Sequence, residues 1–380
     1  MIYLDNAATS FPKPKTVVEA VVRQMETIGG NPGRSEHQGG LAASRIMYDT
    51  RQKLARLLGI EDPLRVIFTL NATEALNLAI KGALKPGDHV ITTSMEHNSV
   101  LRPLETLKKQ SIETSLLKAD KTGLVSLSDV RQALQPNTKM LVITHCSNVT
   151  GSIQPVEEMV KLAREHQLLS LVDASQSTGS IPYHIEKMNP DLLAAPGHKA
   201  LLGPQGTGFL YMKPGVVLQE LKQGGTGSES ENLQQPLTVP DRYESGTQNA
   251  HGLAGLKAGI EFLLKETVEA VREHEKKHIL QLKEGLSSIK GIRLYGPESI
   301  DQQGSVILFA IRDLDQTQLN YMLDQLYGVS ARAGLHCAPL AHQTIGTFPV
   351  GAIRFSPGYF TTKEEIDQAL SAVNQLASDF

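Results

Sequence analysis

From about residue 16 to residue 210, short apolar runs alternate with amphipathic stretches, a pattern that predicts helices laid over a mostly parallel sheet and an α/β fold class. The runs are Val66-Ile67-Phe68, Val90-Ile91, Met140 to Ile143, Leu168 to Val172 and Gly208 to Met212. Short, apolar and β-branched, they predict strands buried on both faces. A Gly-rich polar segment, Gln223 to Gln248, predicts an irregular loop with a domain boundary just beyond it. From Ala250 to about Ile289 the chain then carries one long helical period, whose charged centre, Arg272 to Lys277, predicts a solvated face. Strands at Gly291 to Tyr295, Gly304 to Ile311 and Gly351 to Phe355, with helices near Gln316 to Leu326 and from Thr362, predict a small second domain. The expected division is a large domain over 16–250 and a small one formed by 1–15 and 251–380.

A length of 380 residues agrees with more than one hydrophobic core. A formal net charge of -3 gives no broad basic field, which argues against nucleic acid and for a small, roughly neutral substrate. The first residues lack the cationic and apolar regions of a secretory signal, and no apolar run approaches a membrane span, so a cytoplasmic protein without a membrane partner is expected. The two cysteines, Cys146 and Cys337, can form neither a disulfide framework nor a four-cysteine metal site. If either matters, it matters as a thiol, and no metal is expected.

In open α/β sheets ligands bind beyond the carboxyl ends of the strands, and here the residues after each run are polar. The first run leads through Asn71, Ala72 and Thr73 into a helix, whose N-terminus is an anion site suited to a phosphate. The plainer alternative is that Asn71 or Thr73 only caps that helix. The second leads to His97, placed to stack on a planar ring, shuttle a proton, or merely cap. The third leads to Asn148, a potential donor to a ring substituent, and the fourth to Asp173 and Gln176. A carboxylate emerging from a buried strand needs a cation or several donors. The economical partner of Asp173 is a protonated pyridine nitrogen, which makes the ring an electron sink. Mg²⁺ is the alternative, but no second carboxylate with suitable spacing stands nearby.

Lys199 follows the small apolar stretch Ala194 to Gly197 and precedes a Gly-Pro turn. A lysine in a dry site loses proton affinity and becomes a nucleophile toward an aldehyde. The phosphate turn, His97, Asp173 and Lys199 each meet a different need of one cofactor. The glycines at 203, 206 and 208 do not make a nucleotide loop, because they follow a lysine and lead into a strand.

With these residues in place, the chain resembles the class V aminotransferase group of fold-type I pyridoxal-phosphate enzymes, and within it the cysteine desulfurase and selenocysteine lyase family. The resemblance spans nearly the whole chain. It is carried in order by Tyr3 to Thr9, Asn71 to Ala75, Glu96-His97-Asn98, Asp173 to Gln176, Gly197-His198-Lys199, Gly246-Thr247, Arg332 to Cys337 and Arg354-Phe355-Ser356. It implies that Ala72, Thr73 and His198 hold the phosphate of pyridoxal 5'-phosphate, with Thr247 reaching the phosphate of the partner subunit in a homodimer. His97 would stack on the ring, Asn148 lie beside it, Asp173 bind its nitrogen, Gln176 meet its phenolic oxygen, and Lys199 hold it covalently. Arg354 would clamp the substrate carboxylate, with help from Arg332 and Asn148.

The implied reaction takes L-cysteine to L-alanine. Lys199 removes the Cα proton, Cys337 attacks the substrate sulfur, and a persulfide remains on Cys337 for a sulfur or selenium acceptor protein. Arg332 and His336 beside Cys337, cationic or potentially so, favour a thiolate, whereas Cys146, directly after an apolar run, reads as a small buried hydrophobe. Selenocysteine lyase is the neighbouring reading, and a class V transaminase or epimerase a third that has no use for Cys337. Pro196 stands where many relatives carry a hydroxyl, and Leu335 where sulfur-mobilising relatives often carry a second histidine.

Overall fold

In the computed structural model, which describes residues 1–33, 37–312 and 314–378, the apolar runs and amphipathic stretches become strands and helices in alternation. The chain begins with β1 (Ile2–Tyr3), α1 (Lys15–Thr27), α2 (Gln38–Leu58), β2 (Val66–Thr69), α3 (Ala72–Ala83), β3 (His89–Thr93) and α4 (Asn98–Leu107). It continues through β4 (Glu113–Leu117), α5 (Leu127–Gln132), β5 (Thr138–Thr144), α6 (Val156–Glu165), β6 (Leu169–Asp173), α7 (Ile185–Met188), β7 (Leu192–Pro196) and β8 (Gly208–Met212). Beyond the irregular segment come α8 (Ala250–Glu266), α9 (Val268–Ser288), β9 (Ile292–Tyr295), β10 (Ile307–Ile311) and α10 (Gln316–Tyr327). The last elements are β11 (Val329–Ser330), β12 (Arg332–Gly334), α11 (Pro339–Ile345), β13 (Ala352–Phe355) and α12 (Lys363–Ser378).

The main sheet has seven strands in the order β2-β8-β7-β6-β5-β3-β4. β8 alone runs against the others, because it pairs antiparallel with both β7 and β2. The connection from β7 to β8, too short for a crossover helix, folds back as a loop, and Lys199 lies on it. Side chains alternate across the sheet: Met140, Val142, Leu171 and Ala194 enter one apolar cluster, and Leu141, Ile143, Val172 and Ala195 the other. A second sheet, β12-β13-β10-β9, is antiparallel and covers a third core with α9 and α12. β1 pairs in parallel with β11, so the start of the chain lies beside the C-terminal strands.

Two expectations for the region after Ala250 are corrected. The single helical period is two helices, broken at Thr267, which takes a φ of 70° and accepts a hydrogen bond from the Ala270 N–H to cap α9. α8 packs on α1 and α2, whereas α9 packs on α12 and β9, and one straight helix cannot serve both. Nor is the charged centre of α9 a fully solvated face. Glu273 and Lys277 are exposed, but Arg272 and Glu275 are buried. Arg272 donates to the carbonyls of Ile300 and Gln303 at 3.3 and 2.6 Å, and Glu275 accepts from the Ser305 hydroxyl. A polar loop facing the helix supplies these partners inside the protein.

α2 is tied to the sheet by a buried fork. Arg51 meets both carboxylate oxygens of Glu244 at 2.8 and 2.5 Å, and Glu244 also accepts the Phe68 N–H at 2.6 Å. Glu244→Ala would strand a buried guanidinium and is expected to destabilise the protein by about 3–5 kcal/mol. A lowered urea midpoint checks this, and an unchanged one would show the pair to be dispensable.

Candidate active site

The strands that run with β3 deliver their following residues to one edge of the main sheet, around a cavity of about 230 Å³. After β2, the Asn71 side chain accepts the Glu74 N–H at 2.9 Å and caps α3. Capping therefore falls to Asn71, and Ala72 and Thr73 are left lining the cavity with N–H groups that meet no acceptor among the described residues. After β3, His97 caps α4 and also lines the cavity. Its Nδ1 accepts the Ser99 N–H at 3.1 Å, and the Ser99 hydroxyl meets the Thr73 hydroxyl at 2.8 Å. Burial lowers the His97 pKa against the opposing charge of Asp173, so the ring is a neutral face whose hydrogen sits on Nε2.

After β6, Asp173 is 3% exposed. One of its oxygens accepts the Ser175 N–H and hydroxyl at 2.9 and 2.5 Å, and the other takes no hydrogen bond from the described residues. Gln176 donates to the Ala7 carbonyl at 3.0 Å. After β7, Gly197 allows a close turn, because a Cβ there would collide with the Thr207 hydroxyl. His198 and Lys199 follow on the cavity wall. His198 keeps a buried Nδ1 without a partner among the described residues, and burial beside Lys199 and Lys13 pulls its pKa down to about 4. Loss of solvent, with the charges of Arg354 and Arg332 adding to it and Asp173 opposing, pulls the Lys199 amine down to about 8.

The second sheet supplies the other wall. Arg354, 1% exposed, donates to Asp5 at 2.7 Å and to the Asn148 carbonyl at 3.0 Å, while its Nε has no partner among the described residues. The Asn148 side chain donates to the His336 carbonyl at 2.7 Å. Arg332, directly across the strand pair from Arg354, donates to the Cys337 sulfur at 3.4 Å. Cys337 is exposed, and its carbonyl accepts the Asn98 N–H at 2.8 Å. His336 corrects the expected setting of the thiol: it is buried, and burial with the Arg354 charge drives its pKa well below the usual value. Of the two, Arg332 alone is a cation beside Cys337. Cys146 is buried as expected, and burial pushes its thiol up to about 12. Thr247 is not brought to this cavity; it lines a separate one with Phe68, Glu74 and Gln248.

Two site residues carried no role in the sequence. Asp5 pairs with Arg354 across nearly the whole chain, and only its place in the opening motif hinted at function. Glu96, adjacent to His97, is fully buried, and burial raises its carboxyl to about 8. One of its oxygens accepts from the Thr93 hydroxyl and the Thr144 N–H at 2.7 and 2.9 Å, and the other has no partner among the described residues.

The unpaired N–H groups at α3, the orphaned His198 nitrogen, the free Asp173 oxygen and the low-affinity amine of Lys199 suit one planar ligand with an anionic tail, a cationic ring nitrogen and an aldehyde. The family model for Aminotransferase class-V matches residues 2–369. A protein named probable cysteine desulfurase from Methanothermobacter thermautotrophicus is 32% identical, with 99% of this chain and 94% of the relative covered. Another of that name, from Synechocystis sp., is 32% identical over 100% of this chain and 92% of its own. The solved apo structure of a cysteine desulfurase from Thermococcus onnurineus NA1 superposes with a TM-score of 0.94, at 30% identity, covering 100% of this chain and 95% of that one. The fold is thus that of the cysteine desulfurases, and the chain belongs to the class V aminotransferase family.

Proposed function

We propose that the chain is a pyridoxal-phosphate-dependent cysteine desulfurase that takes L-cysteine to L-alanine and keeps the sulfur as a persulfide on Cys337. The observation that carries this reading is the convergence of Lys199, Asp173 and His97 on one cavity, with the Arg332–Cys337 contact beside it. When bound, pyridoxal phosphate supplies an electron-withdrawing ring that acidifies the substrate Cα–H. Ala72, Thr73 and His198 would hold its phosphate, His97 would cover its face, Asp173 would meet its nitrogen, and Gln176 and Asn148 would flank it. Lys199, uncharged once the pH exceeds about 8, would hold its aldehyde carbon and move the Cα proton of the substrate.

Arg354 receives the substrate carboxylate on the donors that Asp5 and Asn148 leave free. The Cys337 sulfur then attacks the substrate sulfur: an S–S bond forms, the Cβ–S bond breaks, its electron pair stays on Cβ, and Cβ takes up a proton. Arg332, 3.4 Å from the thiol, stabilises negative charge on the attacking sulfur. An acceptor thiol or protein removes the persulfide sulfur. Thr247, outside its own chain's cavity, completes the phosphate site of a partner subunit in a homodimer. The exposed apolar side chains of Val18, Val22, Met25 and Leu41 on α1 and α2 support a second copy covering that surface. The cysteine loop belongs to a small domain formed by 1–15 and the chain from α9 onward, since α8 packs on α1 and α2 of the large domain.

Incubation with L-cysteine is expected to yield alanine and a sulfur-modified Cys337 peptide by mass spectrometry. Cys337→Ala should abolish alanine formation from cysteine, and survival of that turnover would remove the persulfide role. A parallel incubation with selenocysteine reads the neighbouring activity. Iodoacetamide should label Cys337 in the native protein and spare Cys146; rapid labelling of Cys146 would contradict its burial. For the apoprotein, Lys199 should react with an amine reagent at a rate that climbs as the pH rises through about 8 and levels off above it, since only the neutral amine reacts. A midpoint at the usual 10.5 would show that the site is not dry.

A further inference from the structure

Two buried imidazoles stand in line behind the cysteine loop. His342, on α11, is fully buried, and His336 is 2% exposed. The Thr347 hydroxyl lies 2.7 Å from His342 Nδ1, His342 Nε2 lies 3.2 Å from His336 Nδ1, and His336 Nε2 lies 3.1 Å from the Arg332 carbonyl oxygen. A carbonyl only accepts, so His336 Nε2 carries the hydrogen. Both rings are neutral, because burial and the Arg354 charge oppose their protonation. It follows that His336 Nδ1 accepts, His342 Nε2 donates, and Thr347 donates to His342 Nδ1. One carbonyl at the end of the row determines the direction of every bond in it.

That row ends in a tight turn. His336 and Cys337 have φ angles of 50° and 58°, a left-handed conformation that residues with side chains rarely adopt. The turn's backbone is held by the Asn148 side chain on the His336 carbonyl and by the Asn98 N–H on the Cys337 carbonyl. The Ala338 N–H closes the turn on the Leu335 carbonyl at 2.9 Å, and the His336 ring ties it to the Arg332 carbonyl and to His342 behind it. We propose that His342 is a positioning residue for sulfur transfer: by donating to His336 Nδ1 it locks His336 as the Nε2–H tautomer and holds the His336–Cys337 turn where Cys337 reaches the substrate sulfur. This rests on the persulfide role of Cys337. Without His342 as donor, His336 can move its hydrogen to Nδ1, which takes the His336 donor away from the Arg332 carbonyl and loosens the turn.

The test separates two rates of the holoenzyme in His342→Leu and His342→Gln, the latter keeping an amide donor for His336. Exchange of the Cα hydrogen of L-alanine in deuterated water needs Lys199 and no sulfur chemistry, whereas alanine formation from L-cysteine needs Cys337 as well. His342→Leu should slow alanine formation about tenfold or more while leaving Cα exchange within about twofold, and His342→Gln should recover most of the loss. Unchanged alanine formation in His342→Leu, equal slowing of both rates, or no recovery with glutamine would overturn the assignment. The unmodified apoprotein gives a reading that needs no substitution. Its ¹⁵N-histidine spectrum at neutral pH should show His336 and His342 as neutral Nε2–H rings, and an Nδ1–H or doubly protonated ring at either would equally overturn it. Failure of the underlying reading has another signature, since Cys337→Ala would then still turn over cysteine whatever the histidine spectrum shows.

Discussion

A guanidinium with 1% of its surface exposed has to be held by an anion, and the pairing of Arg354 with Asp5 organises the site. The anion comes from the opposite end of the chain, so the first residues must lie between the two sheets for the pair to form. They do so by a run of hydrogen bonds. The Leu4 N–H donates to the Ser330 carbonyl, the Ser356 N–H donates to the Leu4 carbonyl, and Asp5 bridges to Ser356. Further along, the Thr9 hydroxyl meets the His198 carbonyl, the Ser10 hydroxyl meets the Lys199 carbonyl at 2.9 Å, and Gln176 meets Ala7. One short strap thus joins the arginine strand, the lysine loop and the turn that follows Asp173. Because Asp5 and Asn148 each occupy one arm of the guanidinium, they also decide which donors remain for a substrate.

Dryness, which makes the pair necessary, sets protonation throughout the cavity. Burial moves Lys199 and Glu96 toward their neutral forms from opposite directions, each to about 8, and lowers His97, His198 and His336. A lysine that gives up its proton more readily than usual is what nucleophilic chemistry at an aldehyde requires. The groups that keep their charge have dedicated partners: Asp173 has the Ser175 donors, and Arg354 has Asp5. Burial and pairing therefore divide the polar residues of the cavity into neutral reactants and fixed charges.

This division explains how much of the protein was legible in its sequence. The strands of the main sheet are apolar on both faces, so a periodicity argument finds β2, β3, β5, β6 and β8, and the polar residues after them mark the cavity. β4, half exposed at the sheet edge, and β7, built of small residues, carry weaker signals. The break at Thr267 leaves no mark because helical periodicity continues across it, and only the different packing partners of α8 and α9 require it. Arg272 and Glu275 look like solvent-facing charges until the loop that buries them is known. Asp5, Glu96 and His342 were missed for one reason: each works through a partner far away in sequence or through burial. The motif around Cys337 did show a histidine near the thiol, but a histidine's charge is set by its surroundings, and His336 is enclosed.

The register of the second sheet bears on what the cavity selects. Arg332 and Arg354 are directly opposed across β12 and β13, an arrangement of like charges that is unfavourable unless anions intervene. The Arg332 charge lowers the proton affinity of Arg354, and Asp5 and Cys337 act in the other direction. Asp5 relieves the pair on the Arg354 side, and the sulfur of Cys337, bonded to Arg332, is placed to relieve it on the other whenever it carries negative charge. In the proposed reaction a substrate carboxylate on the free donors of Arg354 would weaken the repulsion again, and negative charge building on Cys337 during attack would weaken it once more. Both steps of the proposed reaction therefore draw on one electrostatic tension between two neighbouring arginines. An amino acid with its sulfur one carbon beyond Cα suits that arrangement because it offers its carboxylate to one guanidinium and its sulfur to the thiol held by the other.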